Sequence, residues 1–197
     1  INIIDGLNGL ALGSVIFMLL TINILSIYSG DQTLIIICSV MIGLILGLFI
    51  YNFPYGKIFL GDGGAYFLGF LIAFLVIILS ERNETISPFI SLLIIFYPFY
   101  ETVRSFVRRI SKGFRNTMQP DTRHFHSLAY KYICEKSKIK FLSNNVQASI
   151  LCMMFTIFNC VWTLVFFQSL EILIIGIFLF IFIYEFAYRK FKLKIKS

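Results

Sequence analysis

Long apolar runs set the pattern of this chain. They lie at roughly 10–28, 34–51, 65–79, 86–100, 146–167 and 172–188, with short polar segments between them. The runs are continuous rather than alternating. That excludes barrel strands and leaves helices as the way to satisfy backbone polar groups in lipid. A spanning helix needs about 20 residues. The third and fourth runs are short and reach that length only if residues 61–64 and 101–106 contribute at the interface. The pattern predicts an all-α fold, a polytopic transmembrane bundle of about six helices in one membrane-embedded domain over 1–197.

Composition sharpens this. Of 197 residues, 58% are hydrophobic and 14% charged, and the mean hydropathy is +0.87. A soluble domain is closer to one quarter charged, so a soluble core is excluded. Six helices send segments 1–9, 52–64, 102–145 and the tail 189–197 to one side. Sixteen of the 17 Lys and Arg fall there, with Arg82 alone on the other side. The positive-inside rule makes that side cytoplasmic. The basic tail reads as a topology signal that also attracts anionic lipid. Cys38, Cys134, Cys152 and Cys160 have no CxxC spacing, and three of them sit in apolar runs. Neither a disulfide framework nor a thiolate zinc site is expected. Pro98 is expected to kink or end its helix. Glu101 is expected to pair with Arg104, and Glu185 to snorkel or to pair with Arg189, while Gln147 and Asn159 are expected to hydrogen-bond across helices.

Three segments on the predicted cytoplasmic side carry chemistry. In Ile58-Phe59-Leu60-Gly61-Asp62-Gly63-Gly64-Ala65, one carboxylate stands among glycines between two membrane runs. Such an acid is costly unless used, and glycines let the backbone approach a phosphate or metal closely. Mg²⁺ takes one or two carboxylates and leaves its other positions to water and substrate phosphates, which suits Asp62. Asn2, Asp5 and Asn8 open the chain at a spacing of three, where a single residue would suffice as a helix cap. Asp121-Thr122-Arg123-His124-Phe125-His126-Ser127 holds the only two histidines. Zinc would require further ligands. Phosphate contact through His124, His126 and Arg123 fits better, since the guanidinium fork matches phosphate.

In this order, Asn2 to Gly9, Phe59 to Ala65 and Asp121 to His126 resemble the N-x-x-D-G-[LFI]-[DN]-G, F-x-G-D-x-G-[SA] and D-x-x-H-x-H motifs of the polyprenyl-phosphate N-acetylhexosamine-1-phosphate transferases (glycosyltransferase family 4). The resemblance implies transfer of a sugar 1-phosphate from a UDP-sugar to undecaprenyl phosphate or another polyprenyl phosphate. The setting would be the cytoplasmic face of the inner (plasma) membrane, at the start of cell-surface glycan synthesis such as lipopolysaccharide, O-antigen or cell wall. It implies Mg²⁺, with Mn²⁺ as an alternative. The lipid bilayer is a partner, nucleic acid is not, and a homodimer is left open. Carried over by position, Asp62 holds the metal, and Asp62, Asp5, His124 and His126 are catalytic. Asn2, Asn8, Asn52, Phe59, Asp121 and Arg123 bind substrate, with Phe59 placed to stack on uracil. Asn8 stands where many members have Asp, and Ser127 where many have a third His.

The family's adjacent Asp-Asp pair does not occur here, and the chain starts at Ile1 inside the first motif. It is therefore expected to be the C-terminal part of a longer protein, inactive alone. The nearest alternative is the phospho-N-acetylmuramoyl-pentapeptide transferase branch, which tends to have adjacent histidines. A transporter or an inactive fragment are alternatives of another class. A transporter would require polar residues deep in several helices.

Overall fold

The computed structural model describes residues 1–83, 86–110, 124–137, 139 and 141–194, the side chain of Lys194 excepted. Among the described residues a 3₁₀ turn at Asn2–Ile4 precedes eight helices: α1 (Leu10–Ser29), α2 (Gln32–Asn52), α3 (Gly61–Arg82), α4 (Pro88–Ile94), α5 (Phe96–Ile110), α6 (Phe125–Lys136), α7 (Asn144–Phe166) and α8 (Leu170–Lys194). Among the described residues there is no strand. Five of the helices, α1, α2, α3, α7 and α8, are long and apolar enough to cross a membrane. The chain is a polytopic helical bundle.

Local chemistry sets the boundaries. Gly30 ends α1 in the left-handed region at φ 75°, and the Asp31 side chain caps α2 by accepting from Leu34 N–H. The Ser87 hydroxyl caps α4, with Pro88 in its first turn, and the Ser143 hydroxyl caps α7. The fourth apolar run departs from expectation. It is a broken pair, α4 and α5, bent by 72° at Ile95. Pro98 accounts for the break. It lacks the N–H that would bond to Ile94 C=O, and its ring crowds that carbonyl. The pair counts as a sixth span only if its two halves are taken together.

α1 is the central helix. Its apolar window is 72% buried, against 17% for that of α2, which presents most of its surface outward. One apolar core joins α1 to α2, α3 and α4. A second, rich in aromatics, joins the chain start and α1 to α5, α6, α7 and α8. In it, Phe125 is fully buried against Phe155, Tyr184 and Phe191. Several pairings differ from those expected at i+3 or i+4. Arg104 forms a forked ion pair with Glu185 on α8, so neither Glu101–Arg104 nor Glu185–Arg189 forms as expected. Gln147 bonds to Ser137, Ile139 C=O and Leu142 C=O in the α6–α7 connection instead of across spans. Asn159 is fully buried on α7 with both amide atoms unpartnered. All four cysteines are free, and only Cys134 is exposed.

Candidate active site

The three segments meet at one end of the bundle. The start of α1 is fixed first. Gly9 sits at φ 76°, a left-handed conformation that a side chain resists, and any Cβ there would collide with Phe53. Neither Asp5 nor Asn8 caps the helix. Instead the Gly9 N–H donates to Asn52 Oδ1, and Asn52 Nδ2 donates to Ile58 C=O at 2.7 Å. Asn52 is thus a buried clamp at the end of α2, tying the first segment to the loop that carries Phe59 and Asp62. Asn8 strengthens the join: its side chain donates to Pro54 C=O at 3.0 Å, and its N–H donates to Asn145 Oδ1 on α7 at 2.9 Å. Asn2 donates to the Tyr66 hydroxyl on α3 at 3.2 Å.

The histidine segment packs onto the same place. A Cβ on Gly6 would run into the His126 imidazole, so only glycine lets the two segments touch this closely. His124 caps the start of α6 without a side-chain bond, and the two imidazoles stack at 5.5 Å, within 2° of parallel. Glu101 on α5 anchors them. It is 2% exposed and accepts from Phe125 N–H at 3.2 Å and from the Tyr184 hydroxyl at 2.6 Å, while His124 Nδ1 lies 3.6 Å from its other oxygen. Sequence reasoning assigned Glu101 to an interfacial ion pair and missed this. The signal lay in its position on one face of α5 with Tyr97 and Ser105, all three buried. Burial pushes the His126 imidazole down to about 4, so it is neutral at pH 7.

Asp5 is half-buried, and Asp62 is exposed in the first turn of α3. Burial raises the Asp5 carboxyl above its usual range, and the nearby Asp62 charge raises it further. These two carboxylates therefore share one field. Among the described residues no group of three His, Cys, Asp or Glu could cage a metal. Phe59 is exposed. A cavity of about 460 Å³ opens next to the histidines, lined by Gly6, Leu7, His124, His126, Ser127, Tyr130, Lys131 and Asn145. Tyr130, Lys131 and Asn145 were not foreseen from sequence. Asp121 and Arg123 lie outside the described residues.

The family model described as glycosyl transferase family 4 matches residues 1–80. A Bacillus subtilis (strain 168) protein named "Probable undecaprenyl-phosphate N-acetylglucosaminyl 1-phosphate transferase" is 35% identical over 127 residues, covering 64% of this chain and 35% of that protein. The undecaprenyl-phosphate alpha-N-acetylglucosaminyl 1-phosphate transferase of Escherichia coli (strain K12) is 30% identical over 132 residues, covering 64% of this chain and 36% of that protein. The phospho-N-acetylmuramoyl-pentapeptide-transferase of Streptococcus uberis is 38% identical over 82 residues, covering 42% and 24%. The chain spans about a third of the length of the first two of these relatives. No solved structure matches it.

Proposed function

We propose that the chain is part of a glycosyl transferase family 4 enzyme, whose family model matches residues 1–80, and that the full-length protein transfers a sugar 1-phosphate from a UDP-sugar to a polyprenyl phosphate at the cytoplasmic membrane surface. The observation that carries this is the contact of Gly6 with His126, next along the chain to Asp5, whose carboxyl is raised by burial and by the Asp62 charge. It joins segments separated by more than a hundred residues into one site that combines acids, imidazoles and an adjoining cavity.

The reaction brings two anions together. An oxygen of the lipid phosphate attacks the sugar-linked phosphorus, and UMP leaves. The repulsion between the reactants must be offset, and alignment with electrostatic stabilisation supplies most of the rate. Asp62 and Asp5 would supply hard carboxylate oxygens to a divalent cation. This suits Mg²⁺ or Mn²⁺ with the remaining positions left to water and phosphate. Bound there, the cation would neutralise charge developing on the phosphate oxygens. His124, His126, Lys131 and the N-terminal amides of α6 would hold the diphosphate. Neutral His126 can donate one hydrogen bond without carrying a net charge. Phe59, exposed in the loop before Asp62, would stack on the uracil. Asn52 and Asn8 position the loops, since their amides are engaged with backbone.

The test is Asp62→Asn in the full-length protein, in membranes supplied with UDP-sugar and lipid phosphate. Turnover is expected to fall by about 10²–10³. Near-normal turnover at saturating Mg²⁺ would reject the metal-ligand role.

The similarity to a peptidoglycan precursor transferase supports a second reading, with UDP-N-acetylmuramoyl-pentapeptide as donor. Phe125 favours the N-acetylhexosamine donor. It separates the two histidines, and its full burial in the aromatic core makes that spacing structural. Assaying both donors side by side decides between them. Against a transporter, α1, α2 and α7 contain no charged residue at all.

A further inference from the structure

One turn below Asp62 on α3 stands Tyr66, a residue outside all three sequence motifs. We propose that its hydroxyl donates a hydrogen bond to the phosphate of the polyprenyl phosphate acceptor and so helps to place the attacking oxygen. The identity of the ligand rests on the transferase reading given above.

Position comes first. Tyr66 follows Asp62 by four residues within one helix, so the two share a face, with Cβ atoms about 5–6 Å apart. At 1.5 Å per residue, Tyr66 lies about 6 Å further along the helix axis. Since α3 is long and apolar enough to cross a membrane, Tyr66 is on the bilayer side of the carboxylate. The surroundings agree. Tyr66 is 63% exposed, and at further spacings of four come Phe70 and Phe74, both exposed and stacked with ring centroids 6.0 Å apart. The opposite face of α3, with Ala65, Leu68 and Ile72, is buried in the bundle. One outward face therefore runs from carboxylate to hydroxyl to apolar rings. A lipid whose tail lies along Phe70 and Phe74 brings its phosphate to the level of Tyr66. A nucleotide arriving from the aqueous side meets Asp62 first. Finally, the hydroxyl is prepared as a donor. Asn2 Nδ2 donates to the Tyr66 oxygen at 3.2 Å. That bond ties Tyr66 to the first motif, leaves the phenolic hydrogen free to point elsewhere, and polarises the O–H towards an acceptor. A phosphate oxygen is a charge-assisted acceptor for it. Tyr66 makes and breaks no covalent bond here; it is a substrate contact.

The experiment compares wild type with Tyr66→Phe in the full-length protein, in nanodiscs carrying polyprenyl phosphate and the matching polyprenol. Phenylalanine keeps an aromatic ring at the membrane interface and removes only the hydroxyl. By native mass spectrometry the wild type is expected to retain polyprenyl phosphate over polyprenol. Tyr66→Phe should lower that preference about 10–100-fold, the range for one hydrogen bond to a charged group. In turnover assays the KM for polyprenyl phosphate should rise by a similar factor, with the KM for UDP-sugar unchanged. Asn2→Ala should shift the lipid preference in the same direction by less. Tyr55→Phe, at another exposed tyrosine in the preceding loop, should match the wild type. The proposal is overturned if the wild type shows no preference for the phosphate, if Tyr66→Phe retains that preference, or if Tyr55→Phe loses as much. A KM change confined to UDP-sugar also overturns it. A wild type that prefers polyprenyl phosphate but transfers nothing overturns the transferase reading alone, and the retention measurement still decides the role of Tyr66.

Discussion

Glu101 is the residue on which most depends. It is buried, charged and shared by three helices, and it spends one oxygen on Phe125 N–H and Tyr184. Glu101→Ala would orphan two buried donors at about 1–3 kcal/mol each, and the expected result is a lower melting temperature in detergent. Glu101→Gln keeps an acceptor for both, so it should melt close to wild type. Its turnover should still fall, because the charge facing His124 is gone. Loss of folding in both variants, or of activity in neither, would contradict this account. His126 makes a pH prediction. Its folded pKa of about 4 lies below the ordinary imidazole value near 6.5. The folded state therefore holds fewer protons than the unfolded one, and the neutral imidazole favours folding fully only above about pH 6.5. Stability should decline as pH falls from about 6.5 towards 4. The His126→Asn variant should show a flatter melting profile over that window. Residue types were legible in the sequence where chemistry demanded rarity, as with the lone Asp62 and the histidine pair. The role of Glu101 was not, because its partners Phe125 and Tyr184 lie 24 and 83 positions away.

Among elements, the clamp at the end of α2 and the break between α4 and α5 do most to shape the site. Asn52→Ala would free the Gly9 N–H and the Ile58 carbonyl, both buried or half-buried. A loss of about 1–3 kcal/mol is expected, along with faster hydrogen exchange at Gly9 and in the loop carrying Phe59. Unchanged exchange there would show that packing alone joins the segments. Five of the spans were readable from apolar runs, since lipid leaves little choice of structure. The bend at Ile95 was not readable as such. Pro98 signalled a discontinuity, but its direction depends on what α5 packs against. The amphipathic face of α5 was hidden for a similar reason: its apolar stripe continues past the end of the fourth run into a segment that reads as a basic loop.

At the scale of the whole molecule, orientation is the testable quantity. Cys134 on α6 is the only exposed cysteine, while Cys38, Cys152 and Cys160 are buried. It is a built-in reporter. A membrane-impermeant maleimide should label it in inside-out vesicles and leave it untouched in intact cells. Labelling in intact cells would reverse the proposed topology. The convergence of three distant segments at one end could be anticipated from their shared charge asymmetry. The route by which they touch could not, because Gly6 meets His126 across 120 positions of chain.

The hydroxyl of Tyr184 carries a last consequence. It belongs to the terminal helix, beyond every recognisable signature and far outside residues 1–80. Yet it ends on the same carboxylate oxygen as the amide that starts the histidine helix. A premature stop codon between His126 and α8 would leave each signature intact on paper while removing the strut that keeps the imidazoles upright. Genes in this family that look complete by signature alone could therefore encode proteins unable to turn over.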